Sequence, residues 1–152
     1  LQPTGGRNHI VHMGTYTVID DCYNANPVSM GASLDVLKCA LCHTVALLGD
    51  MGELGPISHD AHLEVGRITA RLGLDAVIAI GPKSAAIAET AGPRALHFDT
   101  VQQALPALRE QLTPGTAMLV KASHAMEFGK IVNELETTTY DRHQCDRSGQ
   151  IL

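Results

Sequence analysis

Ala76-Val77-Ile78-Ala79-Ile80-Gly81-Pro82 is the stretch that decides the fold. Five consecutive apolar residues offer no polar face, and Gly-Pro stops the run, so it reads as a strand buried on both sides. Reading outward towards the N-terminus, Ala61, Val65, Ile68 and Leu72 recur at helical spacing, and before them Thr44 to Leu48 is apolar and ends at Gly49. Further upstream, Met30, Leu34, Leu37 and Leu41 mark a helix face that follows the β-rich run Tyr16-Thr17-Val18-Ile19-Asp20. On the other side, Val101, Leu105, Leu108 and Leu112 repeat the helical spacing. Ala117 to Val120 reads as a strand, and Phe128, Ile131, Val132 and Leu135 form the last helix face. These strand-to-helix alternations predict an α/β fold: a mostly parallel sheet covered by helices on both faces. Asn8 to Met13 and Tyr16 to Asp20, split by Gly14-Thr15, predict an N-terminal hairpin leading into it.

The chain has 152 residues, 45% hydrophobic and only 18% charged, which excludes disorder and coiled coil. One domain over residues 1–137 accounts for all the periodic segments; residues 138–152 lose periodicity and read as a polar C-terminal tail. The formal charge of −5 argues against a nucleic-acid reader, which needs a concentrated basic face. No apolar run approaches the roughly 20 residues of a membrane span, and no leader is recognisable, so no membrane partner is expected. Four cysteines are too few for a disulfide scaffold and suit a reduced, cytoplasmic protein. The opening Leu1-Gln2-Pro3, without Met, reads as part of a longer chain.

In such a sheet, ligands sit outside the carboxyl ends of the strands. Four loops qualify: Asp20–Asn26, Gly49–Ser58, Gly81–Ser84 and Lys121–Met126. The first holds two carboxylates and two carboxamides, suited to ribose hydroxyls, an amine or a metal; the alternative is that Asn26 caps a helix whose first turn holds Pro27. In Gly49-Asp50-Met51-Gly52-Glu53-Leu54-Gly55, glycines make the backbone pliable, and Asp50 and Glu53 suit an ammonium group. Lys121-Ala122-Ser123-His124 places two cationic candidates before a helix, where an anion would be favoured. Gly81-Pro82-Lys83-Ser84 ends like a P-loop but lacks the earlier glycine, so it is no phosphate cradle. Cys39-Ala40-Leu41-Cys42-His43 spells the spacing of covalent haem attachment. Without a second cysteine pair, buried or half-buried thiols finishing a helix are the better reading. His59 and His62, three apart, lack a third ligand and read as helix-entry residues. No metal site is expected.

Together these segments resemble the Mur ligase family, the ATP-dependent amide ligases of peptidoglycan synthesis. The resemblance rests on Pro3-Thr4-Gly5-Gly6-Arg7; Asp20-Asp21-Cys22-Tyr23-Asn24-Ala25-Asn26-Pro27 with Ser29-Met30; Leu48 to Gly55 with His62 and Val65-Gly66; and Leu119-Val120-Lys121-Ala122-Ser123-His124. It is closest to the branch that adds D-alanyl-D-alanine to a UDP-N-acetylmuramoyl tripeptide. It implies a Rossmann-like C-terminal domain that closes over an N-terminal domain holding the UDP-sugar peptide and a central domain holding ATP and Mg2+. ATP then phosphorylates the peptide's carboxylate, the dipeptide amine attacks the acyl phosphate, and phosphate leaves; closure orients the reactants and excludes water. Transferred position by position, Arg7 reaches the ATP phosphates, Asp21 accepts from the ribose, and Asn24 and Asn26 shape that nucleotide-facing loop. Asp50, Met51 and Glu53 bind the incoming dipeptide, and Lys121, Ser123 and His124 lie near its carboxylate or the reacting centre.

The resemblance assigns no catalytic residue to this segment, which alone is expected to be inactive. Three positions depart from the pattern: Cys22 stands for Ser or Thr, Ala122 for Gly, and His124 for Arg. Ala122 would restrict the turn if it needs a positive φ, and His124 replaces a permanent forked cation. The alternatives are another Mur or folylpolyglutamate-type ligase domain, or a stand-alone Rossmann-like binding module.

Overall fold

Alternation along Thr44–Gly49 sets the layering, because successive side chains of a strand point to opposite faces. Val45 and Leu47 belong to one buried cluster, Ala46 and Leu48 to the other. A computed structural model describes residues 9–137 of the chain; Arg7 and the tail 138–152 lie outside the described residues. The strands are β1 (His9–His12), β2 (Thr17–Asp20), β3 (Thr44–Gly49), β4 (Ala76–Ile80), β5 (Ala95–Phe98) and β6 (Ala117–Lys121). They form one sheet in the order β1-β2-β6-β3-β4-β5, with β1 antiparallel to β2 and every other pairing parallel. The mostly parallel sheet and the N-terminal hairpin are therefore as the sequence predicts.

The helices are α1 (Pro27–Lys38), α2 (Ser58–Leu72), α3 (Ala85–Ala91), α4 (Val101–Gln111) and α5 over residues 129–137. Met30, Leu34 and Leu37 of α1, Ala61 and Val65 of α2, and Ile87 and Ala91 of α3 pack with Leu48, Val77 and Leu119 on one face. Ala104 and Leu108 of α4 join Ile131 and Val132 of α5 over Val45, Leu47, Ile78 and Val120 on the other. Chain order explains this division. The path β2-β3-β4-β5 steps outward with α1, α2 and α3 on one side, then returns to β6 through α4 on the opposite side, as crossovers of one hand require. A fully buried Leu or Ile contributes about 1.5–3 kcal/mol, so the double layer is the main source of stability.

Three local expectations are corrected. Leu41 is not on the α1 face: the helix ends at Lys38, the N–H groups of Cys39 and Ala40 close onto Val36 and Leu37, and Leu41 is fully exposed. Because the helix stops there, Cys39 and Cys42 are exposed rather than buried. The third concerns α3 and β5, which the periodicity did not mark. Ala85-Ala86-Ile87-Ala88 lacks large apolar repeats, and Ala95–Phe98 is an edge strand with an exposed Leu96.

Candidate functional site

The registers bring the strand ends level. Asp20 pairs with Val120, Leu48 with Lys121, Gly49 with Ile80, and Ile80 with Phe98. The segments after β2, β3, β4 and β6 therefore leave from one carboxyl rim, the edge at which open α/β sheets bind ligands.

The first loop, residues 20–26, is tied down at both ends. Asn26 caps α1 reciprocally with Ser29: Asn26 Oδ1 accepts from Ser29 N at 2.9 Å, and Ser29 Oγ accepts from Asn26 N at 3.0 Å, with Pro27 in the first turn. Asp21 is buried, and its Oδ2 accepts from Lys121 Nζ at 2.7 Å and from Ser33 Oγ of α1. Lys121 is 1% exposed and also donates to the Asn24 carbonyl at 3.0 Å. An isolated buried ammonium would be very costly, and the Asp21 carboxylate together with the Asn24 carbonyl is what makes burial of Lys121 tolerable. Between them Cys22 is buried and donates to the Val120 carbonyl at 3.5 Å. Burial, then the carboxylates of Asp20 and Asp21, push its thiol well above the usual range. Oδ1 of Asp20 is buried without a hydrogen-bond partner among the described residues.

The second loop, residues 49–55, is pinned differently. Asp50 is buried, and its Oδ1 accepts from both N and Oγ of Ser84, at 2.8 and 2.7 Å. Gly81 makes this possible: at φ +112°, a Cβ there would lie 2.6 Å from Asp50 Oδ1. The Asp50 carbonyl accepts from Ser123 N at 2.9 Å, joining this loop to the one after β6. Met51 buries its side chain completely, and its N–H donates to His62 Nε2 at 3.0 Å. Beyond these anchors Glu53 is exposed, at φ 58°, a left-handed conformation that a non-glycine residue adopts at a cost.

After β6, Ala122 is completely buried and does not adopt a positive φ, so its departure from glycine brings no backbone strain. Its methyl group instead fills space against Gly49, where an added Cβ would approach both Ala122 and Phe128 to 2.7 Å. His124 is exposed, its ring 5.8 Å from that of Tyr23 across the rim. The predicted site thus separates into two layers. Asn24, Glu53 and His124 are exposed and Asn26 and Ser123 half-buried, whereas Asp21, Asp50, Met51 and Lys121 are buried, with Asp21 bonded to Lys121, Asp50 to Ser84 and Met51 to His62. Arg7 is outside the described residues. Among those residues, no three His, Cys, Asp or Glu side chains converge to hold a metal ion.

The family model described as "Mur ligase, glutamate ligase domain" matches residues 6–124. The chain belongs to the Mur ligase family. The span matched to Mur ligases covers every candidate site residue, from Arg7 to His124. The chain is 35% identical over 139 residues to the UDP-N-acetylmuramoyl-tripeptide–D-alanyl-D-alanine ligase of Treponema pallidum, an alignment covering 86% of this chain and 30% of that protein. Among solved structures, a MurF from Acinetobacter baumannii superposes with a TM-score of 0.82 at 31% identity, covering 90% of this chain and 31% of that one. MurF from Thermotoga maritima, solved in complex with ADP, superposes with a TM-score of 0.80 at 25% identity, covering 93% and 33%. This Mur ligase segment thus spans about a third of the length of these three relatives.

Sequence reasoning on this Mur ligase domain missed the hydrogen-bonding roles of three residues, Ser33, Ser84 and His62. Ser33 looks like an ordinary helix residue in one dimension, and Ser84 reads there only as the end of the P-loop-like string Gly81-Pro82-Lys83-Ser84. The only local signal was Gly81 before Ser84, a glycine at a strand end where a neighbour comes close.

Proposed function

We propose that this chain is the C-terminal, closing domain of an ATP-dependent ligase that adds D-Ala-D-Ala to a UDP-N-acetylmuramoyl tripeptide in the cytoplasm. The observation that carries the reading is the convergence of four polar loops on one sheet rim, in a domain whose matched relatives are named for that ligation. Its partners are the UDP-sugar tripeptide, the dipeptide, and N-terminal and central domains of the same enzyme. Among the described residues, no helix is long and apolar enough to cross a membrane.

The first loop fits the ribose of ATP. Asp21 Oδ2 is occupied by Lys121 and Ser33, and Oδ1 is the acceptor assigned to a ribose hydroxyl. Asn24 and Tyr23 are exposed beside it, and Arg7 is the candidate for the phosphates. Mg2+ is assigned to the central domain, together with the main phosphate grip. When bound, ATP supplies the phosphoryl group that activates the peptide carboxylate. Glu53, exposed and without an ion pair among the described residues, is the carboxylate free to receive the dipeptide ammonium. Asp50 and Met51 hold the backbone that presents it, Ser123 lies against Gly52 of the same loop, and His124 is exposed next to Ser123.

The test is phosphate release by the full-length protein carrying this domain. Turnover should require ATP, the UDP-sugar tripeptide and D-Ala-D-Ala together, and residues 1–152 alone should show none. Turnover with a single amino acid such as glutamate, and none with the dipeptide, would overturn the assignment.

A further inference from the structure

His62 lies on α2, not on the rim, yet it is the residue through which that helix grips the rim. Its ring is completely buried. Nε2 accepts from Met51 N at 3.0 Å, and Nδ1 lies 2.6 Å from the Ser58 carbonyl one turn back, well inside the 3.4 Å to the Ser58 hydroxyl. A carbonyl only accepts and an N–H only donates, so the ring must carry its proton on Nδ1 and present a bare Nε2. That is the neutral imidazole in one tautomer. The doubly protonated ring cannot accept from Met51, and the other tautomer would set two donors and two acceptors face to face.

The consequence lies two residues further on. Met51 is the last fixed point of the loop: its side chain is buried, its N–H is on His62, and the preceding Asp50 is held by Ser84 and Ser123. Gly52 follows, and then Glu53 at φ 58°. A left-handed residue persists where its surroundings over-determine it. With Met51 N–H unpaired, a buried donor would be left unsatisfied and the turn would be free to relax.

We propose that His62 is a positioning residue for the amine substrate: through Met51 it sets the place of the Glu53 carboxylate. This rests on the ligase reading above. It acts at a distance from the ammonium and does not touch it.

The experiment uses the full-length ligase with His62→Leu, which removes the acceptor, and His62→Gln, whose Oε1 can replace it. KM for D-Ala-D-Ala is expected to rise about tenfold in His62→Leu, the loss of one buried hydrogen bond, with KM for ATP unchanged. His62→Gln is expected to restore most of it. A purely structural role would lower the active fraction, and so apparent kcat, and leave the dipeptide KM alone; that result overturns the proposal. Should His62→Leu not fold, nitrogen NMR on the wild-type protein decides. An Nδ1-protonated ring with a slowly exchanging Met51 amide supports the proposal, and an Nε2-protonated ring or a fast-exchanging amide overturns it. If the wild-type enzyme shows no dipeptide-dependent turnover, the ligase reading fails first, and NMR still reports on the Met51 anchor.

Discussion

The two principal rim loops solve one problem in opposite ways. Residues 20–26 are held by a buried ion pair, Lys121 with Asp21, supplemented by Ser33 and the Asn24 carbonyl. Residues 49–55 are held by several single hydrogen bonds from different elements: Ser84 to Asp50, Ser123 to the Asp50 carbonyl, and Met51 to His62. A charge pair concentrates the restraint, because removing one member strands the other in a medium that cannot solvate it. Distributed bonds fail one at a time. The first loop should therefore break abruptly and the second by degrees.

The strongest test is Lys121→Met, which leaves Asp21 buried and unpaired. A loss of about 3–5 kcal/mol is expected in denaturant unfolding, with much of it regained in the double variant Asp21→Leu/Lys121→Met. A loss below about 1 kcal/mol would erase the contrast between the loops. Next comes Gly81→Ala, which drives a methyl into Asp50 Oδ1 at a positive φ. It should cost about 2–4 kcal/mol, summing strain and overpacking, and should loosen the second loop while leaving the first intact, as seen by amide exchange. Asn26→Ala removes the α1 cap and should cost about 1 kcal/mol by the same unfolding assay, without detaching Lys121 from Asp21.

The smallest effect is a pH dependence of the first loop. Because burial and two carboxylates raise the Cys22 thiol, the folded state keeps its proton where the unfolded chain loses it. The stability this contributes is complete below the unfolded value of about 8.5 and declines as pH rises above it. Near pH 9 the decline is about 0.8 kcal/mol, by comparison with Cys22→Ala, in which that component is absent. Equal alkaline slopes in the two proteins would remove Cys22 from the account.

Much of the fold was legible in one dimension because burial leaves periodic traces. The apolar runs ending at Gly49 and Gly81, and the alternating four- and three-residue spacing of Ala61, Val65, Ile68 and Leu72, follow from strand and helix geometry. The α1 cap was readable too, since Asn26-Pro27 acts within one turn. Edge elements left fainter traces: β5 is covered on fewer sides, and α3 packs through alanines, so neither shows a strong pattern. Leu41 misled because spacing alone does not reveal where the backbone must turn to enter β3.

Sequence alone thus determined the α/β class, the hairpin, and which loops carry polar groups, for these depend on residues within a turn or two of each other. Which polar groups face solvent was decided only in three dimensions. Asp21 and Lys121 lie 100 positions apart, and their union depends on β6 inserting between β2 and β3. Asp50 finds Ser84 because β3 and β4 are neighbours, and Met51 finds His62 where α2 packs back against the loop, since a buried donor or charge must find a partner within reach.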